Sequence, residues 1–193
     1  MLLSAVDFSH SLLKETVCKG DFVIDATVGN GSDTVLLATL VGPTGKVIGF
    51  DVQKQAVENT AQKLLLAGLM DQVTLLHQGH ETLADVLADN AKIGGAIFNL
   101  GYLPGSDKTI ITKKNTTISA IEALLPKLRI GSYILLVVYS GHPGGMEEKK
   151  ALLDYCSSLN QSLFKVLQYG FINQINHPPS LIAIEKKKTP YMK

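Results

Sequence analysis

The residues best placed to do chemistry begin with Asp25-Ala26-Thr27-Val28-Gly29-Asn30-Gly31-Ser32-Asp33-Thr34, a turn with two glycines. Before it, Phe22-Val23-Ile24 reads as a buried strand, and after it Val35 to Leu40 reads as a helix. Such a corner lets the backbone approach a ligand closely and points free helix N–H groups at it. Asp25 at the strand tip and Asp33 in the first helical turn would repel a diphosphate. Thr34 also stands where the dinucleotide fingerprint has its third glycine. A cationic nucleoside suits these acids better, and S-adenosylmethionine, with an ammonium, a sulfonium and no phosphate, has that character. Thr27, Gly29, Asn30 and Gly31 are then expected to line the cofactor site between Asp25 and Asp33. On its own, Asp33 also reads as an acid complementing the helix dipole.

Asp51 ends the next apolar run, Lys46-Val47-Ile48-Gly49-Phe50, about twenty residues beyond the loop, where a carboxylate can accept both ribose hydroxyls. Gln78-Gly79-His80-Glu81 follows a third apolar run and is expected to meet the adenine, because ligands gather outside the carboxyl ends of strands. The fourth run leads into Asn99-Leu100-Gly101-Tyr102-Leu103-Pro104-Gly105-Ser106-Asp107-Lys108, a turn-rich segment with large side chains that reads as a substrate loop. Tyr139 and His142 leave the fifth run beside it. An asparagine oxygen and a backbone carbonyl can each accept a hydrogen bond from an attacking amine and aim its lone pair. Tyr102 and Tyr139 would desolvate that amine, and His142 would take its proton or merely shape the loop.

The elements that must hold these groups alternate. Apolar runs predict strands at 22–25, 46–51, 73–77, 94–99 and 132–139, and helical spacing predicts helices at 5–16, 35–40, 53–67, 82–87, 112–125 and 147–159. The leading helix is expected beside the cleft, where His10 reads either as a contact or, in preference, as a solvated side chain, and Glu147, Glu148, Lys149 and Lys150 read as a solvated face. Two last strands, 164–169 and 180–185, have no helix between them and must be antiparallel. The expected fold is an α/β, Rossmann-like class I methyltransferase. It has a seven-stranded, mostly parallel sheet, a C-terminal antiparallel hairpin, and one domain over residues 1–193.

Three further segments join the turn in carrying a resemblance: Asn99 to Gly105 with Asp107-Lys108, Val137-Val138-Tyr139-Ser140-Gly141-His142-Pro143, and Tyr169-Gly170-Phe171-Ile172-Asn173-Gln174. In this order they resemble the bacterial tRNA 5-aminomethyl-2-thiouridine methyltransferase family, long labelled an rRNA methylase family. Asn99 to Tyr102 is also similar to the Asn-Pro-Pro-Tyr loop of amino-group methyltransferases, with Leu100 and Gly101 in place of the prolines. The resemblance implies S-adenosylmethionine as cofactor, a tRNA anticodon stem-loop as partner, and methylation of the aminomethyl group on the wobble uridine. By position it implies cofactor contacts at Asn30, Asp33, Asp51 and Gln53, with Gln78 and His80 beside them. The chain departs from the family pattern at Ser106, Ser140 and His177.

Composition bounds the alternatives. A net charge of +1 suits one structured RNA held by a local patch better than a long nucleic acid coated end to end. That patch is expected to use Tyr102 or Phe171 for stacking, Pro104 on the rim, and Lys108, Lys113, Lys114 and Arg129 for phosphates. Two distant cysteines, Cys18 and Cys156, suggest neither a metal site nor a disulfide, and no apolar run is long enough to span a membrane, so a cytoplasmic protein is expected. The loop from Phe171 to Pro179 is expected either to close over substrate or to pack on a second subunit of a homodimer. Ribosomal RNA or a small amine stands as the alternative methyl acceptor, and a non-catalytic cofactor-sensing or RNA-binding domain as the alternative class.

Overall fold

The computed structural model describes residues 1–103, 105 and 110–188. Along the chain it forms α1 (Ala5–Thr16), β1 (Phe22–Asp25), α2 (Ser32–Val41), β2 (Lys46–Phe50), α3 (Lys54–Ala67), β3 (Val73–Leu76), α4 (Leu83–Val86), β4 (Gly95–Leu100), α5 (Lys114–Leu124), β5 (Tyr133–Val138), α6 (Gly145–Ser157), β6 (Phe164–Tyr169) and β7 (Ser180–Lys186). The seven strands make one sheet in the order β3-β2-β1-β4-β5-β7-β6. The first five run parallel, and β7 lies antiparallel between β5 and β6. The mostly parallel sheet with its C-terminal hairpin is therefore present.

Alternation along the central strands builds two apolar layers. Val23, Val47, Ile97 and Leu135 pack with Leu13 of α1, Leu37 and Val41 of α2 and Leu64 of α3. Their neighbours Ile24, Ile48, Phe98 and Leu136 pack on the other side with Ile121 and Leu124 of α5 and Leu152 and Cys156 of α6. Phe50 and Phe98 are fully buried, each contributing about 1.5–3 kcal/mol of transfer free energy, and each directly precedes a residue at the sheet's carboxyl edge. That floor is hard to move.

Strand order reverses between β1 and β4, so Asp25, Asp51 and Asn99, at the carboxyl ends of the neighbouring strands β1, β2 and β4, lie around a topological switch point. The sheet thereby gathers groups far apart in sequence. Several boundaries shift by one to three residues from expectation; among them, the helix predicted from 112 starts at Lys114, because Ile111 bridges Tyr102 and the Thr112 N–H donates to the Gly101 carbonyl at 3.0 Å. The segment predicted as a helix over 82–87 is a 3₁₀ turn, His80–Thr82, followed by α4. Among the described residues, no helix is long and apolar enough to cross a membrane.

Candidate active site

Asp25 is completely buried and does not line the cleft above the sheet. Its carboxylate accepts from the Thr34 hydroxyl at 2.6 Å and from the Thr27 N–H at 3.2 Å, tying the turn to the first turn of α2. Burial, followed by the charge of Asp33, pushes its pKa up to about 7. The expectation that Asp25 touches a ligand is corrected on this point: it shapes the turn from below. Gly31 is likewise structural. It caps α2 at φ 77°, and a Cβ there would fall 2.5 Å from Thr60 Oγ1, so the expected contact through Gly31 gives way to packing against α3.

The cleft itself, about 950 Å³, is lined by the other turn residues Thr27, Gly29 and Asn30, and by Asp33, Asp51 and Gln53. Asp51 accepts the N–H of Gly29 and the N–H of Gln53, one on each oxygen and each at 2.8 Å. The two bonds fix the carboxylate while leaving each oxygen further lone pairs for a ligand's hydroxyls. Of the four residues expected near the adenine, Gly79, His80 and Glu81 line the cleft at the exit of β3, whereas Gln78 does not. His80 bonds the Ala26 carbonyl through Nδ1 at 3.0 Å and packs edge-on to Phe98; burial lowers its pKa, holding the ring neutral.

Asp33 joins three elements. His10 Nε2 of α1 lies 2.6 Å from one of its oxygens, and the Asn99 side-chain Nδ2 donates to the other. The Asn99 N–H also donates to Thr27 Oγ1 at 2.6 Å. Asn99 is thus held from both its backbone and its amide nitrogen, and its amide oxygen is left for another donor. Of the two readings of His10, a contact beside the cleft and a solvated side chain, the structure has the first. Val6 and His10, four residues apart, both line the cleft, and that spacing puts two side chains on one helix face, which was the signal available in the sequence.

Tyr102 and Tyr139 line the opposite wall. Burial, with the charge of Asp33 added, raises the Tyr139 pKa and keeps its hydroxyl protonated. The His142 ring packs edge-on to Tyr102 at 5.8 Å and bonds the Pro143 carbonyl through Nδ1 at 3.0 Å. That bond leaves the lone pair on Nε2, which is buried without a hydrogen-bond partner among the described residues and packs toward the backbone at Gly101 and Gly145. The geometry favours the loop-shaping role for His142. Glu148, expected on a solvated face, is buried beneath the same rim and bonds the hydroxyls of Thr112 at 2.7 Å and Thr117 at 3.1 Å. It shares a stripe with Leu152 and Cys156 at intervals of four, a pattern that marks a core face.

The remaining expected contacts scatter. Lys113 lines the cleft. Arg129 is at the far end of the sheet, where it bonds Asp21 at 2.9 Å and the Thr16 carbonyl at 2.8 Å, and is unavailable to a ligand at the cleft. Phe171 lines a neighbouring cavity. Pro104 and Lys108 lie outside the described residues. Among the described residues, no group of three or more His, Cys, Asp or Glu is arranged to hold a metal ion.

The sheet order, the antiparallel β7 and the acid-lined cleft at the switch point define the class I methyltransferase fold. The chain belongs to the family described as "Putative rRNA methylase", whose profile matches residues 47–185. It is 38% identical over 178 residues to a chloroplastic tRNA (mnm5s2U34)-methyltransferase of Arabidopsis thaliana. The match takes in 88% of this chain and 65% of the relative, so the chain spans about two-thirds or a little less of that protein's length. A crystal structure from Clostridium thermocellum described as a "putative rRNA-methylase" superimposes with a TM-score of 0.93 at 41% identity, covering 96% of this chain and 99% of that one. A Streptococcus mutans "putative methyltransferase", solved in complex with S-adenosylhomocysteine (SAH), gives 0.88 at 41% identity over the same shares.

Proposed function

We propose that this chain is an S-adenosylmethionine-dependent N-methyltransferase that converts 5-aminomethyl-(2-thio)uridine at the tRNA wobble position to its 5-methylaminomethyl form. The reading takes residues 1–193 as a single catalytic domain that works in the cytoplasm on a tRNA anticodon stem-loop. The observation that carries it is Asn99, fixed through Asp33 and Thr27 with an amide oxygen to spare. The substrate class follows the Arabidopsis relative.

The residues present fit the cofactor. Asp33, Asp51 and Glu81 give the cleft the acidity a cation needs. Gly31 caps α2 without a side-chain acceptor, so the first N–H groups of that helix remain open to the cofactor's carboxylate. Bound there, S-adenosylmethionine supplies an electrophilic methyl group on a cationic sulfur. Asp51 holds the ribose, with Gln53 and Asn30 beside it, and His80 packs at the adenine end.

Asn99 Oδ1 accepts a hydrogen bond from the substrate amine and sets the direction of its lone pair. An aliphatic amine is mostly protonated at neutral pH and must lose a proton before it attacks. His10 is held by Asp33 through Nε2 and lines the same cleft as Asn99, with its Nδ1 as the atom that takes the proton. We assign the proton to His10 in preference to His142. Tyr102 and Tyr139 exclude water from the amine.

The experiment is methyl transfer to three RNAs: tRNA carrying the aminomethyl group, tRNA lacking it, and ribosomal RNA. Incorporation into the first alone supports the proposal. Equal incorporation into tRNA without the aminomethyl group, or incorporation only into ribosomal RNA, contradicts it.

A further inference from the structure

A second cavity of about 480 Å³ lies against the cleft and shares His177, Pro178 and Pro179 with it as a common wall. Its chemistry is different. Three acids and Lys113 line the cleft, whereas the second cavity has Lys149 and no acidic side chain in its lining. Lys149 enters no ion pair among the described residues. Ser140 and Ser180, each 4% exposed, also line the cavity, and the Ser180 hydroxyl is buried without a hydrogen-bond partner among the described residues. Folded proteins seldom leave such a group unmet, and one lining a cavity is a point for a ligand to engage.

The cavity also has a fixed aromatic wall. Tyr169 is held by its hydroxyl on the Leu3 carbonyl at 2.6 Å and by Phe8, with ring centroids 4.7 Å apart; Phe171 packs edge-on to Tyr169 at 6.1 Å. Gln168 and Gln174 add two amides to the lining, each able to donate and to accept. The chain enters the shared wall in an unusual conformation, with Asn176 just before it at φ 66° and His177 at φ 48°. A cation, a ring fixed from behind, paired amides and no acid form a set that matches a nucleotide, with its phosphate, its flat base and its polar edge.

We propose that this cavity binds the nucleotide next to the methylated one in the substrate strand, with Phe171 against the base, Gln168 and Gln174 toward its edge, and Lys149 at its phosphate. The inference rests on the RNA substrate proposed above, and it makes the loop from Gly170 to Pro179 a reader of sequence context. A single strand crossing the shared wall would place its target base over the cleft and its neighbour here.

The test is RNA binding in the presence of SAH, read by fluorescence anisotropy, with stem-loops containing 5-aminomethyluridine and an abasic site on one side of it or the other. For the wild type, one of the two abasic positions is expected to cost about tenfold in affinity, within the range for loss of one base stack. Phe171→Ala is expected to cost about as much, and the two losses are not to add, because they remove the same contact. Lys149→Ala is expected to reduce the slope of log affinity against log salt by about 0.7, the share of one phosphate on a single strand. Retained SAH affinity by calorimetry and an unchanged melting curve show that the variants are folded. Losses that add independently, or variants that bind as the wild type does, overturn the inference. A wild type that binds this RNA but transfers no methyl to it would instead count against the function proposed above.

Discussion

At the scale of single residues, the proposed function gives Asn99 and Asp51 separate tasks. In that proposal Asn99→Ala removes the acceptor for the amine, and misorientation of a reacting group costs on the order of a hundredfold in rate. We expect kcat to fall by about that factor while SAH affinity, measured by calorimetry, is retained. Asp51→Ala should do the reverse at the binding stage. It removes a carboxylate bonded to two backbone N–H groups, and a charge-assisted hydrogen bond contributes about 1.5–3 kcal/mol, so SAH affinity is expected to drop at least about tenfold. With the proton assigned to His10, His10→Gln is expected to lower kcat by about a hundredfold, the low end of the range for a general base, and His142→Ala is expected to leave kcat close to the wild-type value. Asp33 and Asp51 were legible as cleft residues because each acid belongs to a local strand–turn pattern, whereas the burial of Asp25 beneath the turn was not. His10 could be placed beside the cleft from its helix, but its bond to Asp33 could not be read, because the two lie 23 residues apart and only the packing of α1 brings them together.

Asp25 carries a prediction of another kind. In the fold its pKa is pushed up to about 7, while in the unfolded chain it returns to near 3.8. The native state therefore holds a proton that the unfolded state has released, and stability from this group falls as pH rises from about 4 to about 7 and is level above. Glu148, raised by burial, acts in the same direction, and His80, lowered by burial, acts in the opposite one. The difference in denaturation midpoint between the wild type and Asp25→Asn isolates the Asp25 part; that difference should change through this window and be constant above it.

At the scale of elements, the corner between β1 and α2 depends on how closely α3 approaches it. Gly31→Ala must accept a left-handed φ of 77° and a Cβ 2.5 Å from Thr60 Oγ1. The left-handed conformation alone costs a residue with a side chain about 1–2 kcal/mol. Melting should show the full loss in Gly31→Ala and a partial recovery in Gly31→Ala with Thr60→Ala, since the second change removes the clash and leaves the strain. The strands and helices were readable from apolar spacing, and even the buried stripe of Glu148, Leu152 and Cys156 was present in the sequence. It was obscured by Glu147, Lys149 and Lys150, whose charges made the whole turn look solvated. The start of α5 was hidden for a different reason: Thr112 is held extended by Gly101 and Glu148, neither of which is near it in sequence.

At the scale of the whole molecule, acidic side chains are confined to one of two neighbouring cavities. Asp33, Asp51 and Glu81 lie in the cleft beyond β1, β2 and β3, with Lys113 on its lining, and the neighbouring cavity by β6 and β7 has a lysine and no acid. A net charge of +1 conceals this division. The sequence order of the strands foretold a sheet with a final hairpin, yet composition offered no sign that β7 would insert between β5 and β6 and carry Ser180 to the wall of a second cavity. Arg129 shows the same limit. Its type suggested a phosphate contact, and its place at the opposite end of the sheet gives it to Asp21.

The central claim is that an asparagine held by Asp33 directs an exocyclic amine of RNA toward a methyl donor. Its most direct test is mass spectrometry of nucleosides from an anticodon stem-loop containing 5-aminomethyl-2-thiouridine, incubated with the purified protein and S-adenosylmethionine. A gain of one methyl group on that nucleoside, lost in Asn99→Ala although the variant still binds SAH, is the predicted result. A wild type that leaves the nucleoside unchanged, or a methyl group found on any other nucleoside of the same RNA, would contradict it.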